Sequence, residues 1–211
     1  MFKQNGGNKM AKTEVKRTGY TVDTPKNYLV DAGAIYKNIE WDAAAKKWKG
    51  DLLGATSDGN KVSIVTTYRT IEVDGVFTPA KGQKIIDKAE ATLEVNVKEI
   101  TAENIRLALN GKKEPGNGTD NPAGWDIVQL KDRLEDGDYI DNIALVGVMS
   151  GSKKPIIVVL YNALCTSGLE FDTKDNSEAV ITMKFEAHAN AEDVANRVAP
   201  VKIYYPNATE E

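Results

Sequence analysis

Residues 91–111, ATLEVNVKEITAENIRLALNG, leave little choice of local structure. Ala91, Leu93, Val95 and Val97 alternate with Thr92, Glu94, Asn96 and Lys98, the two-residue period of a strand with one buried and one wet face. The period changes at Thr101. Its hydroxyl can cap a helix, Glu103 falls in the first turn where the helix dipole favours an acid, and Ile105, Ala108 and Leu109 follow at helical spacing. Asn110-Gly111 stops the run. So short a passage from strand to helix requires the helix to fold back onto the sheet. No other segment carries a helical period of this strength, so the chain reads as mainly β with one short flanking helix.

Strand signals occupy much of the remainder. Residues 28–39 read as strand, turn and strand; Val62, Ile64, Thr66 and Tyr68 alternate with Ser63, Val65, Thr67 and Arg69. Residues 71–73 lead into the turn Asp74-Gly75, and a turn over 79–82 precedes Ile85-Ile86. Residues 139–149 and 155–164 flank the hairpin loop Ser150-Gly151-Ser152-Lys153, and IIVVLY within the second, apolar on both faces, marks a central strand. Ile181, Met183, Phe185 and Ala187 alternate with Thr182, Lys184, Glu186 and His188, and residues 201–205 form a last strand before an acidic tail at 207–211. Residues 1–27, without periodicity, are expected to be an arm ordered only by a partner. Residues 40–60 read as a long loop carrying Trp41 and Trp48 and closing on Ser57-Asp58-Gly59-Asn60, and residues 111–124 as a Gly-, Pro- and Asn-rich loop. About nine strands and one helix predict a β-sandwich or half-barrel over residues 28–206.

Composition excludes several functions. A net charge of −4 argues against a surface that grips a nucleic-acid duplex, and the longest apolar run, residues 156–160, is too short to span a bilayer. Residues 1–17 lack the apolar segment of a secretory leader, so a cytoplasmic protein is expected. One cysteine, Cys165, permits no internal disulfide, and one histidine, His188, removes most zinc and triad chemistry. His188, beside Glu186 and Lys184, is expected at a surface or interface, and Cys165 as a small buried hydrophobe. Glu135-Asp136-Gly137-Asp138, with Asp141 beyond, lacks the spacing of a calcium loop and reads as a solvated turn; Asp172 to Asn176 reads as a hairpin turn. Gly116 and Gly118 follow no strand and open no helix, so they form no phosphate cradle. Lys46, Lys47, Trp48 and Lys49 fit a loop packed on a neighbouring subunit better than a nucleic-acid site. No catalytic residue, metal site or cofactor is expected.

The pieces DAGAIYKN, LLGATSDGN, YRTIEVDGVFTPAKGQKIID, ATLEVNVKEITAENIRLAL and YNALCTSGLEFDTKDNSEAVITMKFEAH, in that order and spacing, resemble the phage tail tube, or major tail, protein family. The resemblance implies a β-sandwich with a flanking helix that forms hexameric rings, their inner sheets joined into one barrel around a channel. Stacked rings form the tube that conducts viral DNA from capsid to host. It further implies a virion tail protein assembled in the cytoplasm of the bacterial host, with no membrane. Its partners would be its own copies, the tape measure, distal tail and terminator proteins, and passing DNA without specific binding. Length and the long loop point to a non-contractile tail.

A channel lined with Lys and Arg would hold anionic DNA, so a strand face of mixed or acidic character is expected at the lumen. Glu94 and Asn96 are the first candidates, with Lys98 on the same face opposing them, and Glu186 is the second. Ring stacking is expected from the arm and the 40–60 loop, through Trp41, Trp48, Leu52 and Leu53. The helix is expected on the outer side of the sandwich. Two alternatives stand beside this reading: a monomeric β-sandwich binding module of carbohydrate or adhesin type using Trp41, Trp48 and Trp125, and a secretion-system tube protein of the same architecture.

Overall fold

The computed structural model of the chain describes residues 17–207. Most of the expected arm and all but the first residue of the acidic tail therefore lie outside the described residues. The strands are β1 (Leu29–Asp42), β2 (Lys47–Leu52), β3 (Thr56–Thr70), β4 (Lys84–Val97), β5 (Lys112–Pro115), β6 (Asp126–Gln129), β7 (Ile140–Met149), β8 (Ile156–Cys165), β9 (Ile181–Glu186) and β10 (Val201–Tyr204). The helices are α1 (Ala102–Leu109) and α2 (Ala191–Asn196). The fold is mainly β and antiparallel. An eight-stranded sheet runs β2-β1-β7-β8-β9-β4-β3, with β10 also on β8, and β5 and β6 make a separate hairpin.

This sheet curls over itself. Ile35 and Ile143, from the β1-β7 half, share one core with Leu93, Val95, Met183 and Phe185 from the β4-β9 half, with Leu160 and Cys165 of β8 between them. The curl brings the ends together far enough for the Asn60 side-chain amide of β3 to donate to the Ala32 carbonyl of β1 at 3.1 Å. A smaller cluster of Ile39, Ala144, Ile157 and Val159 lies apart from the main core, with Trp48 and Tyr161 packed against it. Alternate residues of IIVVLY thus serve two cores, as a strand apolar on both faces requires.

Several expected turns are bulges inside long strands. Asp31 and Gly33 take positive φ, and the β1-β7 register shifts between Val30 and Ala34 without breaking the strand. Asn38, at φ 51°, introduces another shift, this time against β2. Ile35 and Ile39 would share a face of a regular strand, yet they enter different cores because the extra residue inverts the alternation. The backbone freed at this bulge is satisfied by Asn142, whose carbonyl oxygen accepts from the Ile39 N–H at 2.7 Å and whose amide donates to the Ile39 carbonyl at 3.2 Å. Asp58-Gly59 likewise lies within β3, at a shift between Thr56 and Asn60.

The long 40–60 loop is therefore not present. β1 and β2 form a tight hairpin over that stretch, followed directly by β3. The 111–124 segment also begins as a strand, β5, paired with β6. Residues 24–27 of the expected arm form a 3-10 turn beside the β7-β8 loop, where the Tyr28 N–H donates to Ser150 Oγ at 3.2 Å.

α1 forms as its sequence requires. The Thr101 hydroxyl accepts from the Asn104 N–H at 3.1 Å, and Asn110 ends the helix in the left-handed conformation. Leu107 and Ala108 enter the main core with Leu53, so the helix closes part of that core. α2 is a second helix, capped by Asn190. Its six residues bury nothing and so carried no apolar period.

Asp138 is 5% exposed, in a short 3-10 turn rather than a solvated one. Its carboxylate accepts from Lys131 Nζ at 2.7 Å and from the Glu135 N–H at 2.8 Å. Burial pushes the carboxyl up, but the Lys131 ammonium and the Glu135 N–H outweigh burial and hold it below its ordinary value. A carboxylate with a depressed folded pKa stabilises the fold above its unfolded value of about 3.9, and the contribution is lost as pH falls through the folded value. Denaturation midpoints of the wild type should accordingly fall on acidification below about pH 5, and Asp138→Asn should make that decline shallower. An equally steep decline in the variant would refute the assignment.

Candidate assembly surfaces

The strand pairing assembles one largely polar face from β3, β4 and β9, with Val65 of β3, half exposed opposite Glu90, as an apolar exception. Glu94 of β4 stands opposite Lys61 of β3 and Lys184 of β9, and Asn96 stands opposite Thr182, whose hydroxyl lies 2.8 Å from Asn96 Oδ1. Glu186 pairs with Thr92, accepts from Thr166 Oγ1 at 3.1 Å, and lies 3.5 Å from Lys184 Nζ. The register adds Lys88 and Glu90, which form an ion pair; the ammonium holds the Glu90 carboxyl below its ordinary value and is itself raised in turn. Glu90, Glu94 and Glu186 are thus matched by Lys61, Lys88 and Lys184 on this face. Lys98, just past the end of β4, donates to Glu178 at 3.2 Å. The three lumen candidates are brought onto one face of mixed charge, and the opposite side of β4 and β9 is main core.

The four stacking candidates do not stay together. Trp41 and Trp48 are cross-strand partners in the β1-β2 hairpin, with ring centroids 5.5 Å apart, and Trp48 meets Tyr204 of β10 edge-on at 4.7 Å. Trp41 and Leu52 are each more than half exposed. Leu53 is not: it is 5% exposed in the main core, and its N–H donates to the Ile35 carbonyl at 2.9 Å. It is unavailable for a contact between rings, because the chain turns inward as it leaves β2. Trp41, Trp48, Tyr204 and Tyr205 line a largely apolar basin of about 880 Å³, with Lys46, Lys47 and Lys153 at its border. Trp125 does not line it and lies exposed just before β6, so the three tryptophans form no common platform. Beside the basin Tyr161 is pushed up to about 12 by burial and by the Tyr204 hydroxyl.

Comparison with protein-family models finds no match, and neither does comparison with curated proteins. Among solved structures the chain is similar to the sheath/tube terminator of an extracellular contractile injection system, PVC, in its extended state. The identity is 15% and the TM-score 0.43, and the match covers 85% of this chain and 99% of that one.

A surface the sequence reading passed over is the β3-β4 hairpin. β3 ends the sheet order, so one of its edges lacks a strand partner among the described residues, and its fifteen residues extend about 50 Å. Towards the hairpin tip Tyr68, Ile71, Val73, Val76 and Ile86 are all exposed, and Phe77 is 98% exposed. The run IEVDGVF held the signal: four large apolar residues placed at a turn, where a soluble hairpin ordinarily carries polar ones.

The remaining candidates have local roles. His188 lies beyond the end of β9, its Nδ1 3.0 Å from the Glu186 carbonyl oxygen and its ring edge-on to Tyr139 at 5.2 Å. Cys165 is buried, and burial pushes its thiol up. Lys174 and Ser177 form the bridge of the expected turn around Asp172–Asn176. Among the described residues no group of three or more His, Cys, Asp or Glu is placed to hold a metal ion, and no helix is long and apolar enough to cross a membrane.

Proposed function

We propose that this chain is a structural subunit of a phage-tail-like tube, in which hexameric rings stack around a channel that conducts DNA, and that it performs no chemical step. The observation that carries the reading is the sheet of β3, β4 and β9. Over residues 91–97 of β4 and over β9 one side is core, the other is a charge-balanced polar face that continues onto β3, and β3, the outermost strand, offers a long open edge. An open edge of that length on a lone subunit invites uncontrolled pairing, whereas closure between identical copies removes it. A face on which every carboxylate is matched by a lysine neither holds nor strongly repels a polyanion, as a sliding surface requires. The tape measure, distal tail and terminator proteins are its proposed partners, and the tail is proposed to be of the non-contractile kind.

Negative-stain electron microscopy and light scattering of the concentrated protein should show hollow tubes or rings with a central hole. A compact monomer at every concentration would overturn the reading. In assembled tubes, Glu94→Lys with Glu186→Lys should convert the lining into a cation-rich one. Those tubes should retain short DNA duplexes at about 50 mM salt and release them near 200 mM, whereas wild-type tubes retain none. Equal retention by both would place this face away from the channel.

A further inference from the structure

The basin and the hairpin tip are complementary in both shape class and charge. The basin is a concave aromatic surface built on Trp41, Trp48 and Tyr205, with Lys46, Lys47 and Lys153 also lining it and, among the described residues, no acidic side chain in the lining. The tip is a protrusion: Phe77 stands almost fully exposed, Val73 and Val76 are exposed just before it in the chain, and Glu72 and Asp74 stand on either side of Val73, with Lys81 further along the same loop. A large apolar side chain held in water at the end of a two-stranded arm has no role in the chain's own core. The basin's volume lies within the range of pockets that enclose a ligand or an anchoring side chain. It offers few of the side-chain acceptors that sugar hydroxyls require, which favours an apolar anchor carrying carboxylates. Within one chain Phe77 and Trp41 both remain exposed, so the tip does not fill its own basin.

On these grounds we infer that the β3-β4 hairpin tip of one copy docks into the aromatic basin of a second copy, Phe77 entering between the tryptophans and Tyr205 while Glu72 and Asp74 face Lys46, Lys47 and Lys153. The contact joins two different patches, so it propagates head to tail and closes into a ring or continues as a filament. Aromatic anchors in apolar pockets dominate such interfaces, and the surrounding charge pairs set partner and register. The inference rests on the reading of the chain as a self-assembling subunit, and it names the contact between copies.

Two variants test it. Phe77→Asp destroys the tip, and Lys46→Glu with Lys47→Glu destroys the basin border; both alter exposed groups, so circular dichroism should show the wild-type fold. In sedimentation velocity each variant alone should need at least about thirtyfold more protein than the wild type to associate, the loss typical of removing a central aromatic anchor or its charge complement. Mixed together they retain one intact tip and one intact basin, and should form a capped heterodimer. Association of the Phe77 variant at wild-type concentrations overturns the contact and leaves the tube reading standing. Wild-type oligomers without a hollow tube, dispersed by either variant, sustain the contact and overturn the tube. A wild type that stays monomeric at every concentration overturns both.

Discussion

Phe185→Ala should cost the fold about 3–5 kcal/mol, measured as the shift in urea-induced unfolding of the unassembled protein. Phe185 is the largest fully buried side chain of the main core. It sits on β9 opposite Leu93 of β4 and Cys165 of β8, at the junction where the two halves of the curled sheet meet. Truncation removes the transfer free energy of the ring and leaves a cavity whose walls are paired strands, which collapse poorly. Against a typical total of about 5–15 kcal/mol, that is a large share. Phe185→Leu, which keeps more of the volume, should lose about 1 kcal/mol. Because Lys184 and Glu186 flank Phe185 on the polar face, the alanine variant should also assemble less readily than its residual stability alone predicts. A loss below about 1 kcal/mol for Phe185→Ala would mean that the two halves do not depend on this junction.

Gly33→Ala should be the second most damaging single change considered, at about 3 kcal/mol. Gly33 lies in the β1 bulge at φ 73°, a conformation that costs an L-residue roughly 1–2 kcal/mol. A Cβ there would also stand 2.9 Å from both the Val146 carbonyl oxygen and Leu145 Cδ1. The first of these is backbone of β7 and cannot rotate away. Gly59 provides the comparison: it holds a similar φ of 78° in the β3 bulge, but an added Cβ meets nothing within 4 Å. Gly59→Ala should lose only the conformational part, about 1–2 kcal/mol. Unfolding midpoints of the two variants therefore separate strain from collision. Equal losses would show that β7 gives way.

The same two glycines mark where the sequence could be read and where it could not. Strict alternation at 91–97 and 181–187 placed Leu93, Val95, Met183 and Phe185 in the core and Glu94, Asn96 and Glu186 on the opposite face, and the pairing of β4 with β9 keeps them there. Thr101 and Asn110 bound α1 as their side chains dictate. Asp31 to Gly33 and Ser57 to Asn60 carried sound turn chemistry, yet became bulges, because positive φ is equally what a bulge needs and only the neighbouring strand decides between them. That substitution turned a loop expected over 40–60 into a hairpin and an extended β3, sent Leu53 inward, and drew Trp48 against Tyr204, more than 150 positions away in the chain.

The sequence by itself determined the β class, the capped helix and the composition of each strand face, since these follow from contacts between residues a few positions apart. Tertiary structure alone decided which faces are shared, which apolar residues remain outside, and that an aromatic basin and an exposed phenylalanine coexist in one chain. Those depend on register between distant strands, and one bulged residue inverts every side chain beyond it.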